Sequence, residues 1–369
     1  MTKRIRIGII GAGQIAQLHL KTYAALPEVE IVACADPNRA ALSATSSAFG
    51  IPETYEHYEA MLEKSELDAV DVCVHNRLHR PATIAALEAG KHVYCEKPIA
   101  GSYADGEAML AAAARSGKHL HVQLATLFSN ETRAAKELIE LGELGEVYHA
   151  RSASSRRRGR PFVDGYGSPS FVQKAHAAGG ALYDMGVYHI AQVLYLLGNP
   201  RVARVTGKTY QRLEMDAGRA AHANFDVEEL GVGFVHFEGG ATLDIIEAWA
   251  LHVDSLGASA VFGSKAGVSL KPFGFFKSYG HLDMNASVDL EAAKLRWERL
   301  TEHGKYYAAS QEHWIGALLG AVPLLPTAEL ALATLLISEG IYRSEALGRE
   351  LTAQEIIDES RSASAAEAR

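Results

Sequence analysis

The chain has 369 residues, 48% of them hydrophobic and 22% charged, and its 36 lysines and arginines stand against 44 acidic residues for a net charge of −8. That length predicts two domains and that composition excludes a disordered chain. A surplus of acid argues against nucleic acid as the main partner, and no run approaches the ~20 apolar residues that span a bilayer.

In chain order, residues 4–10 are a continuous apolar run ending at glycines, as a strand buried on both faces reads. The basic start before this run suggests a signal peptide, but no small-residue cleavage site follows. Residues 14–26 are helical by pattern, and Pro27 closes them. Apolar runs at 30–35, 69–74, 92–95 and 119–124 predict further strands. Pro81 is expected to open a short helix that ends before Gly90, and Ser102 with Asp105 caps another that runs to Arg115. Repeated strand–helix alternation with short connections predicts a doubly wound parallel sheet over residues 1–124.

After residue 125 the pattern changes. Strands are expected at 146–155, 202–213, 230–237, 241–250, 259–262 and 286–300, with hairpin turns at 238–240 and 263–267. Strands joined by turns pair antiparallel, so residues 125–369 should form an α+β unit with one large, open, mainly antiparallel sheet. Helices are expected at 132–141, at 179–197 and from Gln311 onward, the strongest at 329–347, with the last ones packing back toward the first domain. The Ala/Ser-rich tail, 360–369, is expected to fray. Three cysteines (Cys34, Cys73 and Cys95) lack metal-ligand spacing and read as buried thiols of a reducing compartment, so the expectation is a cytoplasmic protein without a metal.

Three motifs carry the chemistry. Gly11-Ala12-Gly13-Gln14-Ile15-Ala16 joins the first strand to the first helix. In that context Gly11 permits a tight turn, Gly13 lets the backbone approach a pyrophosphate, and Ala16 lets helix and strand pack closely. Asp36, at the end of the second strand, can accept both hydroxyls of an adenine ribose and repels a 2′-phosphate. NAD is therefore favoured over NADP, although Arg39 can turn toward a phosphate. Second, Cys95-Glu96-Lys97-Pro98 follows the fourth strand at the carboxyl end of the sheet, where a lysine can hold a hydroxyl and stabilise the oxyanion left when its proton departs. Third, residues 179–197 open on a double glycine. Asp184 and Tyr188, four apart, share a helix face, whereas His189 is rotated by roughly 140° from Asp184. Each motif also has a plain reading, as an ordinary turn, an exposed loop lysine or a helix packed in the core.

Taken together, these blocks resemble the Gfo/Idh/MocA oxidoreductases, the family of glucose–fructose oxidoreductase and inositol 2-dehydrogenase. The resemblance covers the whole chain: GIIGAGQIAQLH with His19, Asn76 and His79 as an N-x-x-H segment, Glu96-Lys97-Pro98, GGALYDMGVYHIAQVLYLLG and ISEGIYRSEALGREL occur in the family's order. It implies a Rossmann domain followed by a substrate and oligomerisation domain whose open sheet makes a dimer or tetramer. It also implies NAD-dependent oxidation of a secondary hydroxyl on a sugar, glycoside or cyclic polyol. The family's lysine and aspartate carry over to Lys97 and Asp184. Its usual histidine falls on Tyr188, a departure shared with glucose–fructose oxidoreductase, and His189 remains an alternative base. Glu96 reads as structural or cofactor-facing. Gln123, Thr126, Phe128 and His176 (with Lys174 beside it) are expected at the substrate mouth. The run Arg156-Arg157-Arg158-Gly159-Arg160, with Arg158 as the substrate candidate, reads either as an anion site or, more plainly, as a solvated loop. Two other readings stay open: an enzyme that retains and recycles its NAD, and a non-catalytic NAD-binding regulator.

Overall fold

The computed structural model describes residues 4–364. The first third of the chain forms a six-stranded, all-parallel sheet of β1 (Ile5–Ile10), β2 (Val29–Ala35), β3 (Glu53–Tyr55), β4 (Ala69–Val72), β5 (His92–Cys95) and β6 (Leu120–Val122), ordered β3-β2-β1-β4-β5-β6. Its central strands are nearly fully buried, which explains their unbroken apolar runs. The order reverses between β1 and β4, where doubly wound folds bind ligands; the glycine turn leaves the carboxyl end of β1 at that point and the lysine loop leaves that of β5, the neighbour of β4.

The second sheet has nine strands: β7 (Val147–Ser155), β8 (Val202–Tyr210), β9 (Leu230–Phe237), β10 (Thr242–Ala248), β11 (Ala260–Gly263), β12 (Gly267–Leu270), β13 (Phe273–Tyr279), β14 (Leu282–Ala286) and β15 (Leu351–Thr352). Their order is β14-β13-β12-β11-β7-β10-β9-β8-β15, and every pair is antiparallel except β7 with β10. That exception follows from the helix that carries the chain from β7 across to β8. One face packs against helices, through Ala150, Val235, Leu243 and Val261. The other is open and carries a lateral row in which His149 pairs with Phe262 and Phe276 lies two strands further on.

Helix Thr327–Leu347 covers β8 and also touches helices Tyr103–Ser116 and Val187–Leu196. Helix Ser310–Leu318 buries Trp314 and Ile315 against Ile7, Ile9 and Tyr94 of the first sheet, and the Tyr94 hydroxyl donates to Ser310 Oγ at 2.9 Å. Among the described residues no helix is long and apolar enough to cross a membrane.

Three expectations are corrected. Pro81 lies inside helix Asn76–Glu88 rather than opening it. It forfeits a single helical bond near the N-terminal end, and the helix starts one turn earlier, where the Leu78 N–H donates to the His75 carbonyl. Residues 286–300 are not one strand. β14 ends at Ala286 and helix Leu290–Leu300 follows, its first turn capped by Asp289, which accepts from the Ala292 N–H at 2.9 Å. Leu290, Ala293, Trp297 and Leu300 recur at helical spacing there, and the partial alternation misled. The tail does not fray over its first residues: Ser360 is buried, and Asp105 accepts from Ser362 Oγ and from the Ala363 N–H. Residues 365–369, the rest of that expected segment, lie outside the described residues.

Candidate active site

The glycine turn is built as its residues require. Gly11 sits at φ +98°, and a Cβ there would lie 2.5 Å from the Cys73 carbonyl oxygen. A Cβ on Gly13 would point into open space, and Gly13 leads into helix Gln14–Ala24 with Gln14 exposed, Ile15 half-buried and Ala16 fully buried. The helix N-terminus therefore faces an open approach that an anion can enter. Asp36 closes this end of the groove. Its Oδ2 accepts from the Ala12 N–H at 2.7 Å and its Oδ1 from the Asn38 N–H at 2.7 Å, so the carboxylate is aimed at the glycine turn with lone pairs to spare. Arg39, itself exposed, pairs at 2.6 Å with Glu56. A cavity of about 360 Å³ adjoins them, lined by Gly11, Asp36, Pro37, Glu56, Glu59 and Pro81 among others. These residues fit the adenosine end of NAD: the wall is acidic and the nearby arginine is already paired.

At the opposite end, Lys97 Nζ lies 2.9 Å from Asp184 Oδ1, 3.3 Å from the Asp184 carbonyl and 4.9 Å from the centre of the Tyr188 ring. Burial works against the ammonium, yet the Asp184 carboxylate raises its pKa; Lys97 in turn holds the buried Asp184 below the usual carboxylate range. Both groups are therefore charged at neutral pH. Burial pushes the Tyr188 hydroxyl up to about 12 against the pull of Lys97. Gln123 Oε1 accepts from that hydroxyl at 3.3 Å, and Thr126 Oγ1 donates to the Tyr188 carbonyl at 2.7 Å.

Strand β10 supplies what the sequence did not reveal. Leu243, Ile245 and Glu247 alternate inward, and Trp249 follows on the same side. Trp249 Nε1 donates to Asp184 Oδ2 at 2.9 Å, and Glu247 Oε2 lies 3.0 Å from His189 Nδ1. Ser152 Oγ of β7 donates to the other Glu247 oxygen at 2.7 Å. Burial opposes a charged His189, but Glu247 more than offsets it, so the imidazole's pKa is raised. Leu182–Gly186 is a π-helical turn, whose i→i+5 bonds advance the chain by less angle per residue than an α-helix does. The expected 140° between Asp184 and His189 is accordingly too large. His189 borders a cavity of about 410 Å³ whose walls include Thr126, Ser154, Ser155, Gln192, Asp254 and Lys271.

Several expected residues fall elsewhere. His79 is fully buried, its ring nitrogens 2.8 Å and 3.0 Å from the Pro98 and Val74 carbonyl oxygens, so it props the lysine loop instead of opening on the groove. Glu96 is buried and accepts from the Lys97 N–H at 3.0 Å. Phe128 packs in the core against the rings of His121 and His313. Asn76 donates to the Ala177 carbonyl at 2.9 Å, beside the exposed His176. The arginine run divides. Arg160 is a buried structural group, Arg157 pairs with Asp254, and Arg158 is exposed. Arg156, which the sequence reading did not single out, donates to the Tyr166 hydroxyl at 2.6 Å and is the arginine whose charge bears on both Asp184 and His189.

A dinucleotide groove that ends at a lysine–carboxylate–tyrosine cluster is the layout of a nicotinamide-dependent oxidoreductase. Comparison with known proteins agrees: the profile described as oxidoreductase family, NAD-binding Rossmann fold matches residues 5–124, and that of the GFO/IDH/MocA C-terminal domain matches residues 132–269. The chain belongs to the Gfo/Idh/MocA oxidoreductase family. It is 32% identical over 276 residues to the D-glucoside 3-dehydrogenase of Escherichia coli (strain K12), covering 73% of this chain and 77% of that one. It is 26% identical over 194 residues to the myo-inositol 2-dehydrogenase of Thermotoga maritima, covering 53% and 55%. Among solved structures, an oxidoreductase from Agrobacterium radiobacter in complex with NAD+, L-tartaric acid and magnesium superposes with a TM-score of 0.78 at 20% identity, over 96% of this chain and 100% of that one.

Proposed function

We propose that this protein oxidises a secondary hydroxyl of a sugar, glycoside or cyclic polyol. The reading is carried by one observation, the Lys97 ammonium held between Asp184 and the Tyr188 ring at the carboxyl end of the first sheet. In this reading residues 1–124 bind the dinucleotide through the Gly11–Ala16 turn and Asp36, and residues 125–369 bind the substrate. When bound, NAD supplies the hydride acceptor. Lys97 and Tyr188 hold the reacting hydroxyl; Lys97 favours its alkoxide form, and Tyr188, with its own hydroxyl deprotonated, takes the proton, His189 being the alternative acceptor. Asp184, kept ionised by Lys97 and oriented by Trp249, accepts from a neighbouring hydroxyl and turns the ring. The cavity beside His189 takes the rest of the molecule.

Purified protein with NAD and a panel of hexoses, glycosides, inositols and sugar acids tests this by NADH absorbance. A rise with one subclass supports the reading. Silence, with NAD(H) released only on denaturation, overturns it in favour of a retained, recycled cofactor or a regulatory role.

The cofactor preference gives a second check. Asp36→Ala is expected to lower kcat/KM for NAD by roughly tenfold or more, one to two hydroxyl hydrogen bonds' worth at an ionised acceptor, and to narrow the gap to NADP. Unchanged kcat/KM for both cofactors would count against the assigned ribose contact. The pH profile separates the two candidate bases. With its hydroxyl pushed up to about 12, Tyr188 gains acceptor character only as pH rises, so sugar oxidation by the wild type should accelerate from pH 7 to 10. His189→Ala should keep that rise at reduced rate, whereas Tyr188→Phe should abolish it; the opposite pattern assigns the base to His189.

The open face of the second sheet, with Phe262 and Phe276 37% and 44% exposed, supports a homo-oligomer formed through that sheet, a dimer or tetramer by light scattering. Three buried free thiols support a cytoplasmic setting.

A further inference from the structure

Beneath the lysine loop, His19 of helix Gln14–Ala24 is 4% exposed and stands between two buried carboxylates. Its Nδ1 lies 2.8 Å from Asp71 Oδ2 on β4, and its Nε2 lies 3.0 Å from Glu96 Oε1 just past β5. The other Asp71 oxygen accepts from the Cys73 thiol at 3.2 Å, whose sulfur also lies 3.3 Å from His19 Nδ1, and the other Glu96 oxygen accepts from the Lys97 N–H at 3.0 Å. Among the described residues, no lysine or arginine forms an ion pair with either acid. A neutral imidazole has one N–H and one lone pair, so with both acids ionised it can satisfy only one of them; two acceptors on opposite nitrogens call for a proton on each. The 2.8 Å contact is a hydrogen-bond length, shorter than the roughly 3.4 Å between two ligands of one tetrahedral ion with bonds near 2.1 Å.

We propose that His19 is a permanently charged imidazolium that clamps Asp71 to Glu96 and, through Glu96, sets the main chain of Lys97, which makes it a positioning residue for the reaction. The positioning half rests on the role given to Lys97 above. The groups around His19 are Tyr23 on its own helix, Asp71 on β4 and Cys73 just past it, Tyr94 of β5 (edge-on to the ring at 5.5 Å), Glu96 in the loop after β5, and Gln311, which donates to the His19 main-chain carbonyl at 3.2 Å. Burial raises the Tyr23, Cys73 and Tyr94 pKa values, so these three are neutral near pH 7. Burial also opposes charge on His19, and the Asp71 carboxylate against Nδ1 is the foremost of the groups that favour it. The ring bridges the two acids, and removing it would take from each its imidazole partner in a dry site.

The test uses full-length protein labelled with 15N-histidine and, in a second sample, 15N-lysine, with and without NADH; two-bond 1H–15N correlation spectra from pH 6 to 9.5 read the imidazole, and one-bond spectra of the second sample, with Lys97 assigned by its loss in Lys97→Ala, read the Lys97 amide. His19, assigned by its loss in His19→Asn or, should that variant fail to fold, by selective broadening from Glu96→Gln, should show both nitrogens in the imidazolium position throughout. A neutral-tautomer signal, or a titration within that range, overturns the charged clamp. Glu96→Gln leaves His19 and Asp71 as a balanced pair and should fold. It is expected to move the Lys97 amide resonance and to lower kcat by roughly 10- to 100-fold, with KM for NAD within about twofold. An unmoved Lys97 amide and unchanged kcat overturn the positioning role. The spectra need no turnover, so failure of every sugar as substrate would defeat the functional reading while the clamp is judged on its own signals.

Discussion

Alanine at Lys97 is expected to reduce turnover by roughly 10³-fold, about 4 kcal/mol of transition-state stabilisation, with the NADH dissociation constant changed less than about threefold. The magnitude follows from what the side chain faces. It is the cation hydrogen-bonded to Asp184, and its charge is the foremost influence opposing the upward push of burial on Tyr188. Truncation would leave the hydroxyl to be oxidised without a charge to stabilise its alkoxide. It would also leave Asp184 with the Trp249 N–H as its remaining side-chain donor. Lys97→Ala/Asp184→Asn relieves that stranded carboxylate. It should regain stability without regaining turnover, and so distinguish lost chemistry from lost folding. Arginine is no substitute, because its planar fork is larger than an ammonium and cannot pack against the tyrosine in the same way. NADH fluorescence titration alongside steady-state rates provides the measurement. Weakened cofactor binding with normal turnover of the bound fraction would remove Lys97 from the reaction.

Arg160→Ala is expected to destabilise the protein by about 3–5 kcal/mol, the range for breaking a buried ion pair by deleting one partner. Arg160 is 2% exposed, and its guanidinium donates to Asp164 from Nε and Nη2, to Glu229 and the Leu213 carbonyl from Nη1, and to the Glu214 carbonyl from Nη2. Every guanidinium N–H is thus used. Glu229 is buried as well, and its second oxygen accepts the Arg212 and Leu213 N–H groups, so alanine would leave a carboxylate charged in a dry site. Urea denaturation of wild type and variant, read by intrinsic fluorescence, measures the difference; a loss under about 1 kcal/mol would contradict it. Arg158→Ala, at an exposed position two residues earlier, should change stability by less than about 0.5 kcal/mol.

What the sequence disclosed follows from how each element is buried. The parallel strands are covered on both faces, so they appear as unbroken apolar runs ending at the glycine turn and the lysine loop to which the binding roles are assigned. β13 and β14 escaped notice because they stand at the exposed edge of the second sheet. Without a buried face, FGFFKSY and LDMNA show no clean alternation. Lys97, Asp184 and Tyr188 were legible because each sits in a local motif. Trp249 and Glu247 were not, since they touch Asp184 and His189 from about sixty residues away and occupy inward positions of a strand, where a Trp and a Glu read as packing and as an exception. The arginine run shows the limit of composition: adjacent identical side chains face a tyrosine, an aspartate, solvent and the core in turn.

The groups proposed to act on the substrate hang from two different supports. Lys97 is set by the loop after β5, whereas Asp184 and His189 take their bearings from Trp249 and Glu247 at the end of β10. Heredity can therefore act on the two halves separately. Changes that tilt or reshape β10 alter which hydroxyl of a ring is presented, and leave the electron acceptor alone. Changes around Asp36 alter the acceptor and leave the sugar alone. A lineage built this way can acquire new substrates without rebuilding its redox machinery.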